Sequence, residues 1–196
     1  MTFEFFPTLV FGVVIACWFV FAGLFLLRKK PPSPPDRKRD PASLVGVVMQ
    51  AISYAVAWGG HRAPFTPIVS SNGLIATVFG VLAIVAGIGS VWLVYLALKT
   101  LGKEWSITAR LVEDHKLATS GPYAYVRHPI YTGMLGMLIA TGIAISHWIA
   151  LLAALLIFFI GTTIRVRSED RLLRGAFGEQ FEQYANRVSA IVPGLF

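Results

Sequence analysis

Charged residues in this chain gather mainly in three stretches, and the apolar tracts between them set the architecture. The tract 5–27 carries no charge over 23 residues, and 73–98 carries none over 26. Each suffices to cross a hydrocarbon layer of about 30 Å, which takes roughly 20 helical residues. The tract 44–60 is shorter and contains one large polar residue, Gln50, but reads as a third span. The last tract, 131–164, runs 34 residues without formal charge. As one helix it would overshoot the bilayer, so it predicts a tight hairpin of two short helices turning at Ser146-His147. The pattern as a whole predicts an all-α integral membrane protein with about five transmembrane helices.

Composition agrees: 56% of the 196 residues are hydrophobic and 14% are charged, against roughly 25% charged in soluble domains. Charge placement adds an orientation. With five spans and the amino terminus outside, the inner segments are 28–43, 99–130 and 165–196, and they hold every one of the 17 lysines and arginines except Arg62. Basic residues collect in short cytoplasmic loops, so this asymmetry predicts an outside amino terminus and a cytoplasmic carboxy terminus. The net charge of +7 is then mostly topology, with attraction to the lipid bilayer surface as a second effect, and it gives no reason to expect nucleic-acid binding. Glu4 stands where a signal sequence carries basic residues, and Arg28-Lys29-Lys30 follows the first apolar tract, which favours a retained anchor. Two regions result. Residues 1–98 form three amino-terminal spans with a Pro-rich basic connector at 28–43. Residues 99–196 form a cytoplasmic loop, a transmembrane hairpin and a carboxy-terminal amphipathic helix, whose stripe is Leu172, Leu173, Ala176, Phe177, Phe181 and Tyr184. Gly178 interrupts that stripe and predicts a kink or a division into two helices.

Candidate chemistry lies in the second region. Gly121-Pro122-Tyr123-Ala124-Tyr125-Val126-Arg127-His128-Pro129-Ile130-Tyr131 concentrates prolines, tyrosines, an arginine and a histidine just before an apolar run. Each proline fixes its own φ and restricts the residue before it, so the segment predicts a stiff frame that holds aromatic faces and an imidazole beside the membrane. Arg165 and Glu169 fall at i and i+4 if the last membrane helix continues outward. The simpler readings are an arginine snorkelling to the interface, a surface ion pair, and for His115 a polar loop residue. The single cysteine, Cys17, excludes an internal disulfide, and four scattered histidines predict no metal site.

Three blocks together resemble the isoprenylcysteine carboxyl methyltransferase family and its phospholipid methyltransferase relatives. They are His115-Lys116-Leu117-Ala118, then Gly121-Pro122-Tyr123 with Arg127-His128-Pro129-Ile130-Tyr131, then Arg165, Glu169, Phe177-Gly178 and Tyr184. The resemblance runs from about 101 to 193, and the run after Glu169 reads Asp170-Arg171 where family members often keep glutamates. It implies a membrane methyltransferase using S-adenosyl-L-methionine and releasing S-adenosyl-L-homocysteine, with a cytoplasmic carboxy-terminal cofactor-binding region. It also implies that His115, Lys116, Leu117, Ala118, Tyr123, His128, Pro129, Ile130 and Tyr131 line the cofactor pocket and that Glu169 closes it. Arg165 would hold the acceptor, in that family the carboxylate of a prenylated cysteine. The chemistry suits these roles: aromatic faces and a carboxylate attract a sulfonium cation, and arginine recognises a carboxylate through two parallel hydrogen bonds. Arg165 and Glu169 are therefore the expected catalytic pair. The residues leave other readings open: N-methylation of a phosphatidylethanolamine-type lipid headgroup, S-methylation of a small thiol, or a membrane scaffold or lipid-binding protein without activity.

Overall fold

A computed structural model describes residues 5–27, 36–63, 65–68, 73–102, 105, 109–112 and 116–194. Six α-helices dominate the described part: α1 (Phe5–Leu26), α2 (Ala42–Gly59), α3 (Gly73–Leu101), α4 (Pro129–Ala144), α5 (Trp148–Phe177) and α6 (Glu179–Ala185). Four of them, α1, α2, α3 and α5, are long and apolar enough to cross a membrane. Their outward faces carry Phe19, Val85, Trp92 and Leu156 well exposed, which a surrounding hydrocarbon tolerates and water does not.

The shortest apolar helix sits at the centre. At 16 residues α4 is about 24 Å long, less than the hydrocarbon thickness. Eleven of those residues are buried, because α4 contacts α1, α2, α3 and α5. An apolar sequence with no polar face needs such all-round cover. Helix α3 packs along α4, α2 packs along α5, and α1 leans on α3. The α2–α5 contact is close because glycines face each other. A Cβ at Gly46 would lie 2.5 Å from the Gly161 carbonyl oxygen, and one at Gly161 would lie 2.8 Å from Met49 Cβ. Small residues at helix crossings bring backbones together in this way inside membranes.

The predicted hairpin is present, with Ile145, Ser146 and His147 between α4 and α5. It is tied to the end of α2: Ser146 Oγ donates to the Ala57 carbonyl at 2.7 Å, and the His147 amide donates to the Gly60 carbonyl at 2.7 Å. Arg62, the one basic residue apart from the three basic segments, is used here. Its guanidinium donates to the carbonyls of Ile143 (2.6 Å) and Ser146 and to that of Thr66 (2.9 Å). It thus satisfies carbonyls that the end of α4 leaves without intrahelical partners.

Two features depart from the sequence reading. The stretch 28–43 is not connector throughout. Residues 28–35 lie outside the described residues, but Asp36–Arg39 forms β1, paired antiparallel with β2 (Arg110–Val112), and α2 begins at Ala42. Charged DRKR carries no strand pattern; the pairing depends on a partner more than 70 residues away. Asp40 then accepts from the Ala42 amide at 3.0 Å and starts α2. The second departure is the length of the hairpin's second helix: α5 is not short but runs 30 residues without a break from Trp148 to Phe177, and this continuation sets Arg165 and Glu169 at the expected i, i+4 spacing. Gly178, at φ +51°, ends it and α6 follows. Leu172, Phe181 and Tyr184 of the expected stripe are buried, whereas Ala176 is exposed.

Candidate active site

The end of the bundle where α4 begins gathers side chains from four parts of the chain. The 3-10 turn Gly121–Ala124 leads into His128, which precedes α4, with Pro129 at the first helical position where a missing amide hydrogen costs nothing. The carboxy-terminal tail crosses over this segment. The amides of Arg127 and His128 donate to the carbonyls of Ser189 (2.8 Å) and Ala190 (2.9 Å), and Thr132 Oγ1 donates to that of Ile191 at 2.6 Å. Tyr184 Oη donates to the Tyr123 carbonyl at 2.6 Å, binding α6 to the turn. The stiff frame expected of the two prolines is therefore clamped from outside as well.

Within that frame lies a charged network. His128 is 6% exposed. Its Nδ1 lies 3.2 Å from Glu169 Oε2 and its Nε2 2.9 Å from Asp170 Oδ1. Asp170 also accepts from Arg127 Nη2 at 3.2 Å, and Arg127 Nη1 reaches the carbonyls of Ala185 (2.9 Å) and Val188 at the end of α6. Tyr131 Oη donates to Glu169 Oε1. Its ring stacks on the His128 imidazole at 5.6 Å and 14° and carries the Arg165 guanidinium 4.7 Å above its centre on the protein's own cation–π contact. Arg165 Nη2 stands 3.8 Å from Glu169 Oε1. Arg165 is 6% exposed, which rules out an arginine merely reaching to the interface.

The electrostatics follow from these contacts. Burial alone pushes the His128 imidazolium down; its hydrogen bonds to Asp170 and Glu169, and the negative charge of both, outweigh burial and raise it from the usual 6.5 to about 9. Both ring nitrogens then donate, one to each carboxylate. Because the folded value lies above the unfolded one, the stability His128 contributes is complete below about 6.5 and is lost as pH rises through about 9. We expect the melting temperature in detergent to fall between pH 7 and 9.5, and His128→Gln to flatten that fall; an equally steep fall in His128→Gln would contradict the assignment.

The other expected site residues divide. Tyr123 and Pro129 are buried beside the network, Leu117 and Ala118 are half-buried on the segment approaching the turn, and Lys116 is exposed there. Ile130 points elsewhere, packing with Cys17, Phe21, Val94, Leu98 and Met137. His115 lies outside the described residues. Arg171 does not disturb the network: its side chain is 72% exposed and pairs with Asp40 at 3.3 Å.

Three residues of the network were not among the expected site residues. Asp170 holds both Arg127 and His128. Gln50 and Thr162, at 2% and 0% exposure, extend the network into the bundle: Arg165 Nη1 donates to Gln50 Oε1 at 2.8 Å, and Gln50 Nε2 donates to Thr162 Oγ1 at 2.8 Å. The available signal was a lone amide in an apolar span, since polar groups at membrane depth are costly unless partnered.

A carboxylate beside an aromatic face suits a cationic ligand by charge. Glu169, at 26% side-chain exposure, is the more open of the two acids, against 13% for Asp170, and it stands next to the Tyr131 ring. Among the described residues no group of three or more His, Cys, Asp or Glu is arranged to hold a metal ion.

Comparison with known proteins points the same way. Residues 81–175 match the family model of the isoprenylcysteine carboxyl methyltransferase (ICMT) family. The protein-S-isoprenylcysteine O-methyltransferase B of Arabidopsis thaliana is 33% identical over 99 residues, covering 50% of this chain and 50% of that protein. The cobalt-zinc-cadmium resistance protein CzcN of Cupriavidus metallidurans is 38% identical over 104 residues, 51% of this chain and 46% of that protein. The nickel-cobalt-cadmium resistance protein NccN of Alcaligenes xylosoxydans is 33% identical over 144 residues, 69% and 66% respectively. The chain spans about half the length of the methyltransferase relatives it matches. The matched segment contains α4, the stiff frame before it, Arg165 and Glu169, so the charged network and the family assignment rest on the same residues. Through this segment, residues 81–175, the chain is similar to the isoprenylcysteine carboxyl methyltransferase family.

Proposed function

We propose that this protein is an S-adenosylmethionine-dependent methyltransferase of the membrane, acting on the carboxylate of an isoprenylcysteine-like lipophilic acceptor. One observation carries the reading: a buried cation, Arg165, and a partly open carboxylate, Glu169, stand one turn apart on α5 and share the Tyr131 ring. An enzyme that must hold an anionic acceptor against a cationic donor needs this pair of opposite charges side by side. When bound, S-adenosylmethionine supplies a methyl group that an acceptor carboxylate oxygen takes, with the electron pair of the carbon–sulfur bond left on sulfur. Glu169 and Tyr131 would attract the sulfonium, His128 and Asp170 would hold Glu169 in place, and Arg165 would orient the acceptor carboxylate. No proton has to move, because the carboxylate is already ionised at neutral pH. Orientation is then the main contribution this chain makes to rate.

The rest of the architecture follows the same proposal. Helix α4 is the fifth membrane-embedded element, sheltered from lipid by its neighbours. The basic residues flanking the inner ends of the helices favour an outside amino terminus and a cytoplasmic active site and carboxy terminus. Residues 1–98 provide the membrane frame and 99–196 the catalytic region, to which α2 also contributes.

The test is calorimetric binding of S-adenosylhomocysteine to the purified protein in detergent, followed by transfer of labelled methyl groups to candidate acceptors. We expect saturable binding at one site and methyl ester formation on N-acetyl-S-farnesylcysteine. The relatives named for metal resistance match 51% and 69% of the chain and their names give no acceptor, so phosphatidylethanolamine and a small thiol belong in the same screen. Methylation of either in place of the carboxylate would overturn the acceptor assignment, and absence of binding by a folded sample would overturn the methyltransferase reading.

A further inference from the structure

We propose that Gln50, on α2 and outside the matched family segment, is a positioning residue that sets the acceptor-binding geometry of Arg165 while leaving its charge available. This rests on the reading of Arg165 as the acceptor anchor. The geometry admits one orientation of the amide. Arginine has only donors, so the oxygen of Gln50 must face Arg165 Nη1, and its nitrogen must then face Thr162 Oγ1. Thr162 sits on α5, three residues before Arg165, so Gln50 reaches from α2 to two consecutive turns of α5. The close crossing at Gly46 and Gly161 makes that reach possible: a Cβ at Gly46 would lie 2.4 Å from Arg165 Cγ. Arg165 is thereby held from three directions, by Gln50, by the face of Tyr131 and by Glu169.

The identity of the residue matters more than the presence of a hydrogen bond. A glutamate at position 50 would accept the same bond from Arg165 and could accept one from the Thr162 hydroxyl. It would also cancel the charge needed for an acceptor carboxylate, since opposite charges at hydrogen-bond distance in a buried site interact strongly. A neutral amide orients the guanidinium without cancelling it. An amide serving only to join α2 to α5 would show no such preference, because a carboxylate would join them at least as well.

Two variants separate these roles. Gln50→Leu keeps the volume and loses the bonds; Gln50→Glu keeps the bonds and removes the available charge. Steady-state methylation of N-acetyl-S-farnesylcysteine, calorimetric affinity for S-adenosylhomocysteine, and melting in detergent are measured on each, with Arg165→Ala in parallel. We expect cofactor affinity unchanged in both Gln50 variants, kcat/KM for the probe down roughly tenfold in Gln50→Leu, mainly through KM, and down a hundredfold or more in Gln50→Glu, which melts no lower than wild type. If Gln50→Glu is as active as wild type or more active than Gln50→Leu, Gln50 is a structural link only and the proposal is wrong. If Arg165→Ala methylates the probe normally, or wild type neither binds nor methylates it, the anchoring role itself fails and takes the Gln50 role with it.

Discussion

Glu169→Ala is expected to weaken S-adenosylmethionine binding by about a hundredfold and S-adenosylhomocysteine binding by less, since only the first carries the sulfonium charge. A carboxylate about 5 Å from a cation, at an effective dielectric constant near 20, contributes on the order of 3 kcal/mol, which is about two decades in affinity. The substitution also strips partners from His128 Nδ1, Tyr131 Oη and the Arg165 guanidinium. Glu169→Gln distinguishes charge from support, because it retains a shape able to accept from Tyr131. Both variants should discriminate less between the two cofactor forms than wild type does, and Glu169→Gln should melt closer to wild type than Glu169→Ala. Calorimetry with each cofactor form checks the first statement. A uniform loss for both forms would mean that Glu169 holds the site together and does not attract the sulfonium.

Arg165→Ala is expected to reduce methyl transfer to a carboxylate acceptor by about a thousandfold while changing cofactor affinity only a few-fold. Removing one partner of a buried, hydrogen-bonded charge pair costs roughly 3–5 kcal/mol, and a thousandfold corresponds to about 4. Arg165→Lys should recover part of this, since it restores a point charge but neither the two-pronged geometry nor the stacking on Tyr131. A large loss of cofactor affinity in Arg165→Ala would place the guanidinium in the cofactor's own site. Unchanged turnover would remove it from the reaction.

Particular residues show how far one-dimensional pattern carries. The hairpin at Ser146-His147 was legible because no single helix of 34 apolar residues fits a bilayer. The meeting of Arg165 with Glu169 was legible because helical periodicity alone sets it. Asp170 was visible only as a departure in a run of acids; its pairing with both Arg127 and His128 needs α5 to lie against the start of α4. Ile130 shows the converse. It adjoins Tyr131 in sequence, but on a helix neighbouring residues point about 100° apart, and Ile130 packs into the apolar contact with α1 and α3.

Span positions, the asymmetry of basic residues and the acid–base spacing on α5 follow from the chain alone, since each depends on local composition and helical geometry. The ribbon between Asp36–Arg39 and Arg110–Val112, the clamp of the carboxy-terminal tail on Arg127 and His128, and the grip of Gln50 on Arg165 do not. Each joins residues far apart in sequence, and the partner is chosen by which helices pack closely enough, here through Gly46 and Gly161. A buried polar group announces in sequence that it must have a partner; only the packing of helices decides which partner it has.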